Sequence, residues 1–236
     1  MPAARPAPAA EPLPAAQPEP AEPVPEQRLT RKGQATRDRI VAAAAALMFE
    51  HGVGGTSTDD VQAAAGVSTS QLYHYFGDKR TLVRAVIAYQ TQNVLDAQQP
   101  LLSQLDSLDA LRTWRDAIVS LQRQRQCQGG CPIGSLAAEL AETWPEARAD
   151  LADGFGQWEA GIRNGLRAMH ARGDLRPDAD PDQLALATLA ALQGGLLLTQ
   201  VRRDTAPLEA ALDAILAHIA SLAAPDASDI AARHCP

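Results

Sequence analysis

Residues 56–79 read TSTDDVQAAAGVSTSQLYHYFGDK. Ser57 followed by Asp60 is a capping-box pattern, in which a hydroxyl serves an orphan backbone N–H and a carboxylate reaches back to the cap residue. It opens a short helix expected to bury Val61, Ala64 and Ala65. Gly66 breaks that helix, because glycine enters the left-handed backbone of a tight turn without steric cost. Ser68 with Gln71 repeats the capping pattern and opens a second helix that runs to about Phe76; Gly77 ends it and Asp78 can cap the next. The second helix has only about two turns, too few to be stable alone. Leu72, Tyr75 and Phe76 are therefore expected to pack behind it, which leaves Thr69, Ser70, Gln71, Tyr73 and His74 facing outward. A helix held by its back and polar in front is what a DNA major groove admits.

The helical pattern extends to both sides. Upstream, from about Thr36, Ile40, Ala44, Leu47 and Met48 fall on one face, and His51-Gly52 supplies a C-terminal glycine. Downstream, a helix carrying Leu82, Val83, Val86 and Ile87 continues past Tyr89 as a connector until Pro100. Longer helices are expected near 101–126, 132–143, 145–172, 181–203 and 207–223; Pro132, Pro145, Pro181 and Pro207 stand near their starts, where proline is tolerated. The chain is alanine-rich and poor in aromatic residues, with apolar positions at helical spacing. It reads as all-α, with no internal repeat.

The net charge of −7 is unevenly spread. Residues 1–27 carry one Arg and four Glu, and nine of the chain's 17 prolines. Such a segment buries too little apolar surface to order itself and is expected to be a disordered, polyproline-leaning tail. Residues 28–90 carry eight Lys or Arg against five acids. The basic excess therefore coincides with the two short helices, and phosphate contacts need local rather than global positive charge. The N-terminus lacks an apolar secretory region, so a cytoplasmic location is expected. The uncharged run Leu184–Val201 is diluted by Thr188, Gln193, Gly194, Gly195, Thr199 and Gln200, and reads as a buried interface helix rather than a membrane span.

From Thr36 to Ile87 the segments TRDRIVAAAAALMFEHGVGGTS, DDVQAAAGVS and LYHYFGDKRTLVRAV resemble the DNA-binding domain of the tetracycline-repressor (TetR) family. The resemblance implies an all-α homodimer with a small N-terminal three-helix helix-turn-helix domain and a larger C-terminal helical regulatory and dimerisation domain. On this chain that divides into a Pro/Ala-rich tail over 1–33, a DNA-binding domain over 34–94 with its helix-turn-helix at about 57–76, a ligand-binding and dimerisation domain over 100–223, and a frayed end over 224–236 that includes His234 and Cys235. It further implies that Ser57 meets a phosphate, that Ser68, Thr69, Ser70 and Gln71 face base edges and phosphates, that Tyr73 and His74 touch phosphate, and that Lys79 lies beside the backbone. Two positions depart from the family: Thr58 stands where an aliphatic residue is usual, and Ser70 where glycine is frequent. Both bear on operator sequence more than on fold.

The regulatory half is less legible. Trp114, Ile118, Leu121, Trp144, Phe155, Trp158, Ile162 and Met169 are candidate walls of an apolar ligand cavity between helices, with Gln193 as a polar residue reaching it or the dimer partner. For each residue taken singly, plain core packing is the leading reading. The run Gly129–Glu142 looks like the start of a helix found in one regulatory subgroup of the family. Cys131-Pro132 precedes that helix, where the dipole favours a thiolate, and Cys127 lies four residues upstream. The pair reads as inert buried cysteines, as a thiol sensor of oxidants or electrophiles, or, with a weak Cys-x-x-x-Cys spacing, as a metal site. The apolar run around Leu184–Val201 and the stripe of Leu208, Leu212, Ile215, Leu216 and Ile219 are expected to pair with their symmetry mates as a four-helix bundle, with Gly194-Gly195 allowing close approach.

The expectation is a DNA-binding regulator, a repressor released from a palindromic double-stranded operator by a small-molecule effector, with covalent release through Cys131 as the alternative. A non-DNA-binding helical module or a thiol enzyme is the remote third reading. No cofactor, metal or membrane is called for. The sequence has no phosphate-cradling glycine loop, HExxH or GxSxG, so it is not expected to be an enzyme.

Overall fold

A computed structural model describes residues 29–224. Residues 1–28 and 225–236 lie outside it, and with them the expected disordered tail, the frayed C-terminus and His234-Cys235. The described residues are all-α: α1 Arg31–His51, α2 Thr58–Ala65, α3 Thr69–Phe76, α4 Lys79–Asp96, α5 Leu108–Gln124, α6 Pro132–Leu140, α7 Pro145–Arg172, α8 Pro181–Arg202 and α9 Ala206–Ser221, with a 3-10 turn at Leu101–Gln104 before α5.

Two boundaries differ from the sequence reading for local reasons. The first helix starts at Arg31, not near Thr36, because Thr30 caps it by accepting from Gly33 N at 3.1 Å. Residues 31–33, assigned to the tail, are thus its first turn. The helix expected over 101–126 is divided. A 3-10 turn buries Leu102, Leu105 closes it, and Ser107 then caps α5 by accepting from Ala110 N at 3.1 Å.

The small helices α1–α3 share a core of Ile40, Val41, Ala44, Met48, Val61, Ala65, Leu72 and Phe76, all nearly or fully buried. Ala64 was expected inside and is exposed. The long α4 packs on α1 on one side and on α7 and α6 on the other, so it links the N-terminal unit to the larger bundle. In that bundle α8 packs against both α7 and α9, and α5 lies on α9. The chain after α9 returns to the end of α7, where Arg176 N donates to Leu222 O at 2.8 Å and Ala224 N to Asp174 O at 2.9 Å.

The apolar α8 is the one helix among the described residues with the length and hydropathy of a membrane span. Its Leu184, Thr188, Leu192, Leu196 and Thr199 are buried within this chain. Its other face, Leu186, Leu197, Leu198 and Val201, is 47–72% exposed. The expected role of Gly194-Gly195 divides: a Cβ on Gly195 would come within 2.9 Å of Leu208 Cα, so this glycine brings α8 close to α9 of the same chain, while Gly194 faces open space.

Candidate nucleic-acid interface and core cavity

Both expected capping boxes form. Ser57 Oγ accepts from Asp60 N at 3.1 Å, and the Asp60 carboxylate accepts from Ser57 N at 2.9 Å and from its hydroxyl at 2.6 Å. These two bonds to Ser57 hold the Asp60 carboxyl below its ordinary range. In α3, Gln71 N donates to Ser68 Oγ at 3.3 Å and Ser68 N to Gln71 Oε1 at 3.0 Å. Between the helices Gly66 sits at φ 62°, ψ 44°, the left-handed turn anticipated from its identity. The turn is tied across: Thr69 Oγ1 donates to Gln62 Oε1 at 2.8 Å, and Arg39 Nε of α1 donates to Ala65 O at 2.8 Å, closing the C-terminus of α2.

The consequence for recognition is a division of labour. Ser57, Ser68, Thr69 and the side-chain oxygen of Gln71 are occupied in holding the motif together, and the Ser70 hydroxyl lies 3.0 Å from Ser68 Oγ. Tyr73 and His74 stand clear: Tyr73 is 45% exposed, and the His74 ring meets Tyr75 edge-on with centroids 5.1 Å apart. Leu72 and Phe76 are buried behind, with the Arg37 guanidinium 5.3 Å over the Phe76 ring. Tyr75 is only half-buried. Lys79 is turned inward: its Nζ donates to Val53 O at 2.7 Å, and the side chain is half-buried. Exposed cations stand instead at the first turn of α1, where Arg31 and Lys32 were not singled out from the sequence although the basic density of residues 28–39 marks them.

In the larger bundle a cavity of about 220 Å³ opens between α4, α5, α7, α8 and the start of α6. Val94, Ile118, Leu121, Trp158 and Leu196 form its apolar walls, and Gln90, Asn93, Gln98 and Gln122 its polar ones. Arg125 is the sole charged side chain among its lining residues. Gln98 is fully engaged: its Oε1 accepts from Trp114 Nε1 at 2.9 Å and from Trp158 Nε1 at 3.1 Å, and its Nε2 donates to Val94 O at 2.7 Å. Gln122 is not. It is 4% exposed, and its Oε1 is buried with no partner.

Of the cavity residues expected from sequence, Ile118, Leu121 and Trp158 line the wall. Trp114 lies behind it, fully buried, holding Gln98. Ile162 and Met169 are core, and Phe155 is half-buried at the edge of that core. Trp144 is elsewhere, 5.2 Å beneath the Arg80 guanidinium. Gln193 does not line the cavity; its Oε1 lies close to Gly134, and its Nε2 is buried without a partner. Composition drew attention to the tryptophans, but the helical rotation of each residue decides which face the space. Gln98, Gln122 and Arg125 were missed because amide and guanidinium side chains on a helix carry no signal of their own.

Cys127 and Cys131 are both buried and free, as in the first of the three readings of the pair. Cys131 does cap α6, accepting from Gly134 N at 3.4 Å, and it lines the cavity. But burial pushes its thiol up, against the smaller opposing effect of the Gly134 N–H, so the helix terminus does not make it a ready thiolate. No group of three potential metal ligands occurs among the described residues.

Residues 40–86 match the family described as bacterial regulatory proteins, tetR family, and residues 107–215 match the tetracyclin repressor-like C-terminal domain. An HTH-type transcriptional regulator of Mycobacterium tuberculosis is 30% identical over 183 residues, which span 75% of this chain and 90% of that protein. The HTH-type transcriptional repressor DhaR of Mycobacterium sp. (strain GP1) is 26% identical over 175 residues, covering 73% of this chain and 86% of DhaR. Among solved structures, a TetR transcriptional regulator from Chloroflexus aurantiacus superposes with a TM-score of 0.70 at 30% identity, covering 82% of this chain and 98% of that one. The helix-turn-helix geometry and these likenesses agree on one conclusion: the chain belongs to the TetR family and is a DNA-binding transcriptional regulator.

Proposed function

We propose that the protein is a cytoplasmic homodimeric repressor that binds a palindromic operator through α3 and is released by a compact effector in the 220 Å³ cavity. No catalytic step enters this reading. The observation that carries it is the construction of α3, a helix of about two turns fixed by buried Leu72 and Phe76 and by its Ser68–Gln71 capping box, with Tyr73 and His74 free in front. Tyr73, His74, Ser70 and the amide nitrogen of Gln71 face the duplex. Ser57, Ser68 and Thr69 stand at the two helix N-termini, where backbone N–H groups favour phosphate. Lys79 contributes charge beside the phosphates while its ammonium is held by Val53, and Arg31 and Lys32 add freely exposed charge.

The exposed stripe of Leu186, Leu197, Leu198 and Val201 on α8 supports pairing with a second copy, since an apolar face of this kind on a soluble protein marks an interface. Pairing places two copies of α3 about one DNA turn apart, roughly 34–36 Å. The cavity supports an effector that is apolar in body and neutral or anionic, because no carboxylate lines it and Arg125 does. The effector also presents an N–H or O–H to Gln122 Oε1, whose burial without a partner is costly. Effector binding lowers operator affinity only to the extent that it favours the DNA-incompetent arrangement.

The test is selection of duplex DNA by the purified protein from a random pool. A palindrome with half-sites about one turn apart is expected, bound more weakly by Tyr73→Ala/His74→Ala. Recovery of no consensus, or equal binding by the double variant, would sink the reading.

A further inference from the structure

The turn between α1 and α2 is gripped from the other domain. Glu139, near the C-terminal end of α6, accepts from Val53 N through Oε2 at 2.8 Å and from Gly54 N through Oε1 at 2.7 Å. The residues concerned are 86 and 85 positions apart in sequence. Two successive backbone N–H groups converging on one carboxylate form a small anion nest. The carbonyl of the same Val53 accepts from Lys79 Nζ at 2.7 Å. One peptide unit is thus held between a carboxylate from α6 and an ammonium from the first residue of α4, and Lys79 follows the recognition helix after only Gly77 and Asp78.

The chain is shaped to admit the carboxylate. Gly52 lies at φ 75°, and a Cβ there would stand 3.1 Å from Glu139 Oε2. A side chain at this position would be strained and would push the acid away.

The other end of α6 is a wall of the core cavity, through Cys131 and Pro132. From Pro132 to Glu139 is about 10 Å of continuous helix at 1.5 Å per residue. A smaller void of about 80 Å³, bordered by Met48, Gly52, Gln90, Pro132 and Glu139, lies where α6 faces α1 and α4. Gln90 and Pro132 border both spaces. The helix therefore has a handle in the cavity, a grip on the DNA-binding unit, and room beside it.

We propose that Glu139 is a positioning residue for operator recognition: through Val53 and Gly54 it fixes the orientation of the helix-turn-helix against the regulatory bundle.

The test uses the full chain and the duplex that the wild-type protein selects. Glu139→Ala removes the grip, and Glu139→Gln keeps one acceptor. Operator affinity is expected to fall about tenfold in Glu139→Ala, within the range of coupling between sites, and by an intermediate amount in Glu139→Gln. Affinity for a scrambled duplex and the slope of binding against salt should not change, because Glu139 touches no phosphate. Hydrogen exchange of the Val53 and Gly54 amides should accelerate at least tenfold in Glu139→Ala, with the exchange of the α7 core unchanged. Equal operator affinity in all three proteins would overturn the proposal, as would equal loss on operator and scrambled duplex, which marks general damage to the fold. Should the wild type select no duplex, the operator reading fails by itself, and unaltered exchange at Val53 and Gly54 would then remove the grip as well.

Discussion

In α2 and α3 the capping hydroxyls, cap carboxylate and cap amide each have a partner inside the motif. In the regulatory bundle Gln122 has a buried oxygen with none, and α8 turns four large aliphatic side chains to solvent. The first region satisfies its capping groups within one chain; the second leaves a buried polar atom and an apolar helix face unmet. A DNA-reading element must hold one shape before it meets its target, because ordering it on binding would subtract from affinity. Under the proposed function, the unmet groups of the regulatory bundle are where an effector and a second copy act. The contrast can be attacked from both sides.

The largest effect is expected where the bundle lacks its partner. Leu197→Glu/Val201→Glu places two charges on the most exposed part of the α8 stripe, at 60% and 72% exposure, and should leave the fold of the single chain intact. Sedimentation should show a monomer. Operator affinity should fall by about a thousandfold, the advantage that a second linked half-site supplies. A dimer that survives both charges would break the assignment of this face.

In the self-sufficient region the vulnerable element is instead the core. Leu72 is 0% exposed and anchors the back of α3. Leu72→Ala should cost about 3 kcal/mol through lost burial and the cavity left behind. Because α3 cannot persist without that anchor, amide exchange should show α2 and α3 opening while α7–α9 stay protected. Uniform loss of protection would mean that the two regions unfold as one unit.

The sign reverses in the cavity. Gln122→Leu replaces a buried, unpartnered amide by an apolar side chain of similar size. It should raise the melting midpoint of the unliganded protein, by about 1 kcal/mol in stability. The same change should weaken effectors that carry a hydroxyl or amine donor, with little change for those that carry none; Trp158 in the wall makes its fluorescence the readout. A destabilised variant would show that Gln122 is satisfied in solution.

The same contrast explains what the sequence disclosed. The helix-turn-helix was legible because its signals are adjacent in the chain: Ser57 with Asp60, Gly66, Ser68 with Gln71. The start of α1 at Arg31 was equally local, through Thr30, but lay hidden at the end of a proline-rich run. The division of 101–126 hinged on the single cap at Ser107 within an otherwise apolar pattern. The cavity wall was read only in part, since Trp114, Trp144 and Trp158 differ in the direction each helix turns them and not in anything the chain spells out. Glu139 carries no local signal at all, because the groups it serves lie 85 and 86 residues away.

The smallest effects separate the two regions by pH. The Asp60 carboxyl is depressed below its ordinary 3.8 by its two bonds to Ser57. A depressed acid stabilises the fold at every pH above its unfolded value and ceases to do so as the pH drops through the folded one. The capping box of α2 should therefore hold unchanged through neutral pH and weaken only in acid, and Asp60→Asn should flatten that acid limb. Cys131 runs the other way. Burial raises its thiol above the ordinary 9.0, so the folded state keeps a proton that the unfolded chain sheds. Its contribution is full below 9.0 and is lost as the pH rises from there through the folded value. Amide exchange followed across pH should show α2 and α3 loosening first at the acid end and the start of α6 at the alkaline end. Cys131→Ala should abolish the alkaline response alone. If the α6 response survives that replacement, the buried thiol is not its source, and the pH contrast between the two regions lies in other groups.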